Sequence, residues 1–587
     1  VARQRVQWIE IDIPWCGLVW GTSPCTAALG GVWARKCFQT FATCGDAANF
    51  DPGVRTVTLF PDVAGIPVMA GIFPVLQSVR ETESTVNIAG ADPTISAFGK
   101  RATFEAGCRD PMDSDRYFDK YHAERISGDA QDDAVGYQPA EFGTLFRRLK
   151  ARWPHFAGRD ARIKDGWLDG GVLTTEATRH YILTDFETDT PGHAVFKGRD
   201  VLDVAGNDRA VCPKASRGKL TLAIDADDTA ITLTPAGIGD DDYDASGWAT
   251  IGSEIVSFTR SADAVTLTGR ALFGTAAAGH AALSTFQQAK RYDKVRADLV
   301  IADLLTNFAP VPAGYIPAAD WADELEFWAP NLFLDAIITK PEQVGKLVAE
   351  ISIMGISNWW DADNQEVGFR LNRPVAPWDT TWEITDSDIV EGGLKLASKD
   401  DKRLTEVLFQ TVQIDPTKAI ADDNFLRAEY TIDGDAKDPN AYGDSRLKIE
   451  KIRWINQGDD SRMRILSLRY LQRFSTAPRH VTVKVRKSSY DGLKLTDVVY
   501  LTTSLVTDVT GRAERQSFQV IGKERAGPGL VELTLQRYFY TGRFGYCMPN
   551  GTPTYDLASA EEIATGNFAV DEGTLLFPDG TGPYVAI

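Results

Sequence analysis

The chain is short of the residue that most often moves protons in enzymes, with six histidines among 587 residues. These are His122, His155, His180, His193, His280 and His480, and none lies in a metal-protease helix motif or beside a G-x-S-x-G elbow. A G-x-x-x-x-G-K-[ST] phosphate loop and a strand-linked G-x-G-x-x-G are also missing. Carboxylates are too common, at 81 Asp and Glu, for any pair to mark a site. The expectation is a protein that is not an enzyme. No apolar run approaches the roughly 18 residues of a membrane span, so no stable membrane insertion is expected. The opening VARQRVQWIEIDIPW has acidic residues where a secretory signal would be apolar, which suggests assembly in the cytoplasm.

Basic charge is also scarce. The net charge of −19 argues against a nucleic-acid binder, which needs cations to neutralise phosphate. The exception is Arg446 to Lys487, where twelve Lys and Arg face three Asp and Glu, a net of +9 that leaves −28 on the remaining residues. Such a segment suits docking onto an acidic neighbour, or else a solvated helix face followed by a strand. The acidic loop 239–244, GDDDYD, lacks the spacing and glycine of an EF-hand and reads as a solvated turn rather than a calcium site.

Cysteine is rare too, yet four of the seven fall in the first 44 residues: Cys16, Cys25, Cys37 and Cys44. Four thiolates close in sequence can hold an iron–sulfur cluster or a tetrahedral zinc. A structural zinc site usually shows a short C-x₂₋₄-C knuckle, and none is present. Two disulfides are also possible, although disulfide scaffolds belong to small secreted domains without a large core. Ordinary buried thiols are the fourth alternative. Cys108, Cys212 and Cys547 are widely separated and read as isolated core or turn residues.

Fifty glycines and many short Val/Ile/Thr/Leu runs predict a mainly β fold with α+β insertions. Residues 1–53 form the cysteine region, read as loop and short helix. Residues 54–215 form a β-rich domain, with 66–76 read as a hairpin and helical stretches at 114–126 and 141–153. The second of these carries Phe142, Leu145, Phe146 and Leu149 at helix spacing. Residues 216–292 read as a small inserted β module of five strands. Residues 293–375 read as α+β, with a capping box of Thr339 and Glu342 around Pro341, and with Trp359 and Trp360 as packing residues. Residues 376–548 read as a second barrel with an inserted helix, and 549–587 as an extended C-terminal arm.

The segment ending KCFQTFATCGDAANFDPG resembles the cysteine-bearing part of long-tailed bacteriophage tail-tip proteins of the phage lambda L type. The stretches FGKRATFEAGCRDP, DGWLDGGVLTTEATRHYILTDF and TLTPAGIGDDDYDASGWATIGSEIVSFTR are similar to baseplate hub proteins of siphophages and gene transfer agents. The resemblance implies a [4Fe–4S] cluster held by Cys16, Cys25, Cys37 and Cys44, with zinc as the alternative. It further implies a virion tail-tip protein that forms a homotrimer with two tube-like β-barrels per chain. Such a hub closes the tail tube between the distal tail protein above and a central spike or fibre below. DNA would pass its acidic or neutral lumen without binding. A tail-associated receptor- or carbohydrate-binding protein and a cell-wall hydrolase are the alternative functions.

Overall fold

Strands dominate wherever apolar residues recur at every second position, and the protein is mainly β. The computed structural model describes residues 3–27, 37–63, 72–91, 96–111, 144–376, 379–456, 460–475, 479–490, 492–527, 529–538, 543–545, 553, 557, 559 and 584–586. Two compact units share the chain. The first comprises Val1–Ser84, Arg101–Asp203 and Trp360–Glu366; the second comprises Thr85–Lys100, Val204–Trp359 and Val367–Ile587.

The first unit is built on β1 (Gln4–Cys16), β2 (Pro52–Pro61), β3 (Ile72–Thr82), β4 (Thr103–Arg109), β5 (Arg159–Asp169), β6 (Val172–Glu187) and β7 (His193–Arg199). They close into a barrel in the order β1-β2-β3-β4-β7-β6-β5, with β1 paired to both β2 and β5. Alternation sends Ile9, Ile11 and Ile13 of β1 inward to meet Phe104, Ile163, Leu183 and Phe196. Helix α1 (Leu145–Arg152) adds Leu145, Phe146 and Leu149 to the same core, as its spacing predicted. On the same inward row as Ile9 and Ile163, Gln7 and Asp165 meet Arg179 and Glu81. The Arg179 guanidinium lies 2.6 Å from Glu81 and 2.7 Å from Asp165. Side chains therefore fill the barrel, and it is a packed core rather than a channel.

One local reading changes here. Residues 4–16 are not loop but barrel strand β1, because their alternation buries one face against β2 and β5. Of the 66–76 segment, residues 72–76 open β3, which pairs in parallel with β2, and residues 66–71 lie outside the described residues. The helical stretch at 114–126, Phe142, Cys547 and nearly all of the 549–587 arm lie outside the described residues.

In the second unit β8 (Val211–Cys212) precedes the small module. Strands β9 (Lys219–Leu220), β10 (Ala230–Thr234), β11 (Ser246–Ile251), β12 (Glu254–Ser261), β13 (Ala264–Gly269) and β14 (Phe286–Arg296), with β15 (Phe333–Ile338), form one sheet ordered β15-β14-β11-β12-β13-β10-β9. Its core gathers Leu233, Ile251, Val256, Phe258, Leu267 and Phe286. The run ATIGSEIVSFTR is a hairpin that turns at Gly252, whose φ of +61° suits glycine. The acidic loop follows the solvated-turn reading, with Asp240, Asp241 and Asp244 exposed, while Asp242 pairs with Arg217 and Asp240 with Arg260.

The capping box does not form. Glu342 lies in the short β16 (Glu342–Gln343), which pairs with β8, and its carboxylate is taken by Arg453 at 2.7 Å. Thr339 Oγ1 instead donates to the Pro416 carbonyl. The helix begins afterwards, at Val344–Ser352. Strands β17 (Ile356–Asp361) and β18 (Glu366–Leu371) form the expected hairpin, and Trp359 and Trp360 are buried.

Strands β19 (Thr381–Thr385) and β20 (Ile389–Ser398) are the margins of a six-stranded sheet. β21 (Glu406–Gln413), β22 (Phe425–Ile432) and β23 (Leu447–Ile452) form a separate sheet, in contact with the helix Asp460–Phe474. β24 (Arg479–Arg486), β25 (Val498–Thr507), β26 (Ala513–Gly527) and β27 (Leu530–Arg537) complete the larger sheet in the order β19-β25-β26-β27-β24-β20. Val483, Leu501, Phe518 and Leu533 lie at its core.

Several basic residues of the 446–487 segment are paired within the fold. Arg446 pairs with Asp400, Lys448 with Glu450, Lys451 with Asp422, Arg453 with Glu342 and Glu350, and Lys484 with Glu532. No described helix is long and apolar enough to cross a membrane.

Candidate metal centre

Residues 17–51 connect β1 to β2 at one end of the barrel, where Cys16 faces Pro52 in the strand register. All four clustered cysteines belong to this connection or to the strand end that starts it. Cys16 is the buried last residue of β1, while Cys25, Cys37 and Cys44 are half-buried. Gln39 holds the strand end. Its carbonyl accepts from Cys16 N at 2.8 Å, its Nε2 donates to the Cys16 carbonyl at 3.1 Å, and its Oε1 accepts from Trp15 Nε1 at 3.0 Å. Gln39 is itself buried and adopts a φ of +57°, a conformation side-chain-bearing residues rarely take.

Helix α1 supports the loop from another side. Thr40 Oγ1 donates to the Arg152 carbonyl at 2.6 Å, and the Arg152 guanidinium stacks 3.8 Å from the Phe38 ring centroid. A 3₁₀ turn at Phe41–Thr43 then carries the chain to Cys44, whose N–H donates to the Phe41 carbonyl. Asp46 ties the remaining segment in. Its Oδ2 accepts from Thr26 N at 2.7 Å and Thr26 Oγ1 at 2.9 Å, while Asn49 Nδ2 donates to both carboxylate oxygens.

Two sulfurs already receive hydrogen bonds from the backbone. Gln39 N–H points at Cys37 Sγ at 3.3 Å and Asp46 N–H at Cys44 Sγ at 3.4 Å, each from two residues further on. Such bonds stabilise a thiolate and orient it as a ligand. Burial pushes the Cys37 thiol up; the Gln39 N–H opposes this, and the charges of Cys44, Cys16 and Cys25 raise it further. Burial likewise raises Cys44, with Cys16 and Cys25 adding to the shift. The fold thus brings all four cysteines within electrostatic reach of one another, where thiolates repel unless a cation sits among them.

None of the four is in a disulfide. Among the described residues, no three His, Cys, Asp or Glu side chains are arranged to hold a metal ion. The chemistry of the donor set, four thiols of which two already accept backbone N–H bonds, suits an iron–sulfur cluster or a zinc ion.

Cys108 and Cys212 are core residues, as expected. Cys108 faces the barrel interior, where burial pushes its thiol far up, and burial pushes Cys212 up to about 12. Such thiols are poor nucleophiles. Gln39, Thr26 and Asp46 were not foreseen, since amide, hydroxyl and carboxylate partners of a loop follow no spacing rule that a sequence displays.

No protein-family profile matches the chain, and no curated protein does. Among solved structures, it is similar to the prophage MuSo2 43 kDa tail protein from Shewanella oneidensis (TM-score 0.33, 9% identity, 79% of this chain and 98% of that one). It is also similar to the prophage tail protein gp18 from Listeria monocytogenes EGD-e (TM-score 0.29, 8% identity, 65% and 84%). A chain in the virion of a native gene transfer agent particle matches at TM-score 0.24 and 13% identity, over 35% of this chain and 41% of that one.

Proposed function

We propose that this chain is a structural protein of a long-tailed phage tail tip, a homotrimeric baseplate hub in which Cys16, Cys25, Cys37 and Cys44 hold a [4Fe–4S] cluster. The observation that carries the reading is the gathering of these four cysteines in the β1–β2 connection, two of them already accepting backbone N–H bonds. The resemblance of that segment to tail-tip proteins supplies the context. When bound, the cluster supplies cross-linking by thiolate coordination, which pins an irregular loop. The chain's residues do the rest. Gln39 fixes Cys16 relative to Cys37, Thr40 anchors the loop to α1, and the Gln39 and Asp46 N–H groups orient two sulfurs.

In this reading the hub is not an enzyme. It closes the tail tube between the distal tail protein and a central spike or fibre, within the virion. The −28 charge outside the basic segment suits a lumen that repels DNA phosphate. The test is an absorption spectrum with metal analysis on protein purified without oxygen. Broad visible absorption with about four irons per chain is the expected result. One zinc per chain and no colour would replace the cluster with a mononuclear site, and no metal at all would reduce the cysteines to ordinary thiols.

A further inference from the structure

The four cysteines are not held equally. Cys16 ends a barrel strand, and Cys37 follows from it through Gln39, which bonds to Cys16 twice and to Trp15 once. Cys44 is placed by the Phe41–Thr43 turn, itself joined to α1 through Thr40. Cys25 has no such support. It closes a local turn onto Thr22, at 2.9 Å. Among the described residues, the hydrogen bonds that join 18–27 to the rest of the chain all run from Thr26 to Asp46. Asp46 faces both ways, because its N–H donates to Cys44 Sγ while its side chain grips the residue after Cys25.

Resting on the cluster reading above, we infer that Asp46 is the positioning residue for the fourth thiolate, holding Cys25 against the other three. The Asp46 carboxylate touches no metal in this role. It acts through Thr26, and its two bonds from that residue are charge-assisted and correspondingly strong. Asn49 completes the arrangement by donating to both Asp46 oxygens, which leaves the carboxylate little freedom to turn away.

The experiment follows conversion of the cluster in the full-length protein. Added ferricyanide removes one electron from [4Fe–4S]²⁺, which then expels one Fe²⁺ and leaves [3Fe–4S]⁺, a product seen directly by electron paramagnetic resonance. The iron lost is the one whose thiolate is held least firmly. Asp46→Ala keeps the N–H to Cys44 but removes the grip on Thr26, and conversion is expected to be about tenfold faster than in wild type. Thr26→Val, a milder change that leaves the backbone bond in place, is expected to fall between the two. Thr26→Ser, which keeps the hydroxyl, is expected to match wild type. Cys25→Ser should yield the three-iron signal without added oxidant beyond air, and adding Asp46→Ala to it should change nothing further. A wild-type rate in both Asp46→Ala and Thr26→Val overturns the role of Asp46 while leaving the cluster intact. Wild-type protein that takes up no iron overturns the cluster reading, and this role with it.

Discussion

Single residues in this protein decide whether loops stay where strands leave them. Glu254, at the start of β12, shows this within the small module. It is 1% exposed, and it receives Arg270 through two bonds of 2.9 and 2.7 Å, His280 at 2.8 Å, and the N–H groups of Ala271 and Ala278 at 3.2 Å. Burial alone would raise its carboxyl, but these donors outweigh burial and lower it from 4.5 to about 2. A carboxyl lowered on folding stabilises the protein fully above its unfolded value, and the contribution fades as pH falls through the folded one. Urea unfolding of the module is therefore expected to weaken between pH 4.5 and about 2. Glu254→Gln should remove that dependence and cost about 3 kcal/mol at neutral pH, because it leaves Arg270 buried without its charge partner. A pH profile of the variant that still parallels wild type would show that another group is responsible. The cysteines were legible as candidate ligands at this scale because four rare, soft donors close together carry their chemistry in their identity. Glu254 was not, since in a chain with 81 carboxylates only burial distinguishes one from another.

At the scale of elements, the alternating strands were largely readable, while their partners were not. The inward row of β1 follows from its own alternation, but its pairing with β5, more than 140 residues away, is set by closure of the barrel. Closure also creates tight places. A Cβ at Gly198 on β7 would stand 2.1 Å from the Phe104 ring and 2.7 Å from the Ile182 carbonyl. Since one of these neighbours is backbone, relief requires the strands to shift. Gly198→Ala is expected to destabilise the first unit by about 1–3 kcal/mol, read by denaturant unfolding. Gly158→Ala meets nothing within 4 Å but has a φ of +78°, so its smaller cost would be purely conformational. Equal loss in the two variants would contradict the close approach. The predicted capping box failed for a related reason. Thr339 and Glu342 carry the right spacing, but strand pairing with β8 and the Arg453 guanidinium offer Glu342 more than a helix N-terminus does.

For the whole molecule, composition set the broad limits. A chain this long with no apolar span and short alternating runs builds several β cores, and it does. The basic segment holds a helix, Asp460–Phe474, followed by strand β24, as its alternative reading had it, and several of its charges find Asp400, Asp422, Glu342, Glu350 and Glu532 once the chain is folded. The hub reading makes an assembly prediction of its own. Sedimentation equilibrium on the purified protein is expected to give three times the 64.3 kDa chain mass. A strictly monomeric species at concentrations where purified tails assemble would oppose the trimer, whatever the metal content.

The amino-acid sequence by itself determined the mainly β character, the helix spacing of Leu145, Phe146 and Leu149, and the identity of the four candidate ligands. Those properties are local, written in periodicity and in the chemistry of single residue types. Only the tertiary structure decided that β1 closes the barrel, that Gln39 bonds to the Cys16 strand end, and that Asp46 joins Thr26 to Cys44. Contacts of that kind depend on which distant backbone groups come to lie side by side, and burial, not spacing, selects the partners that satisfy them.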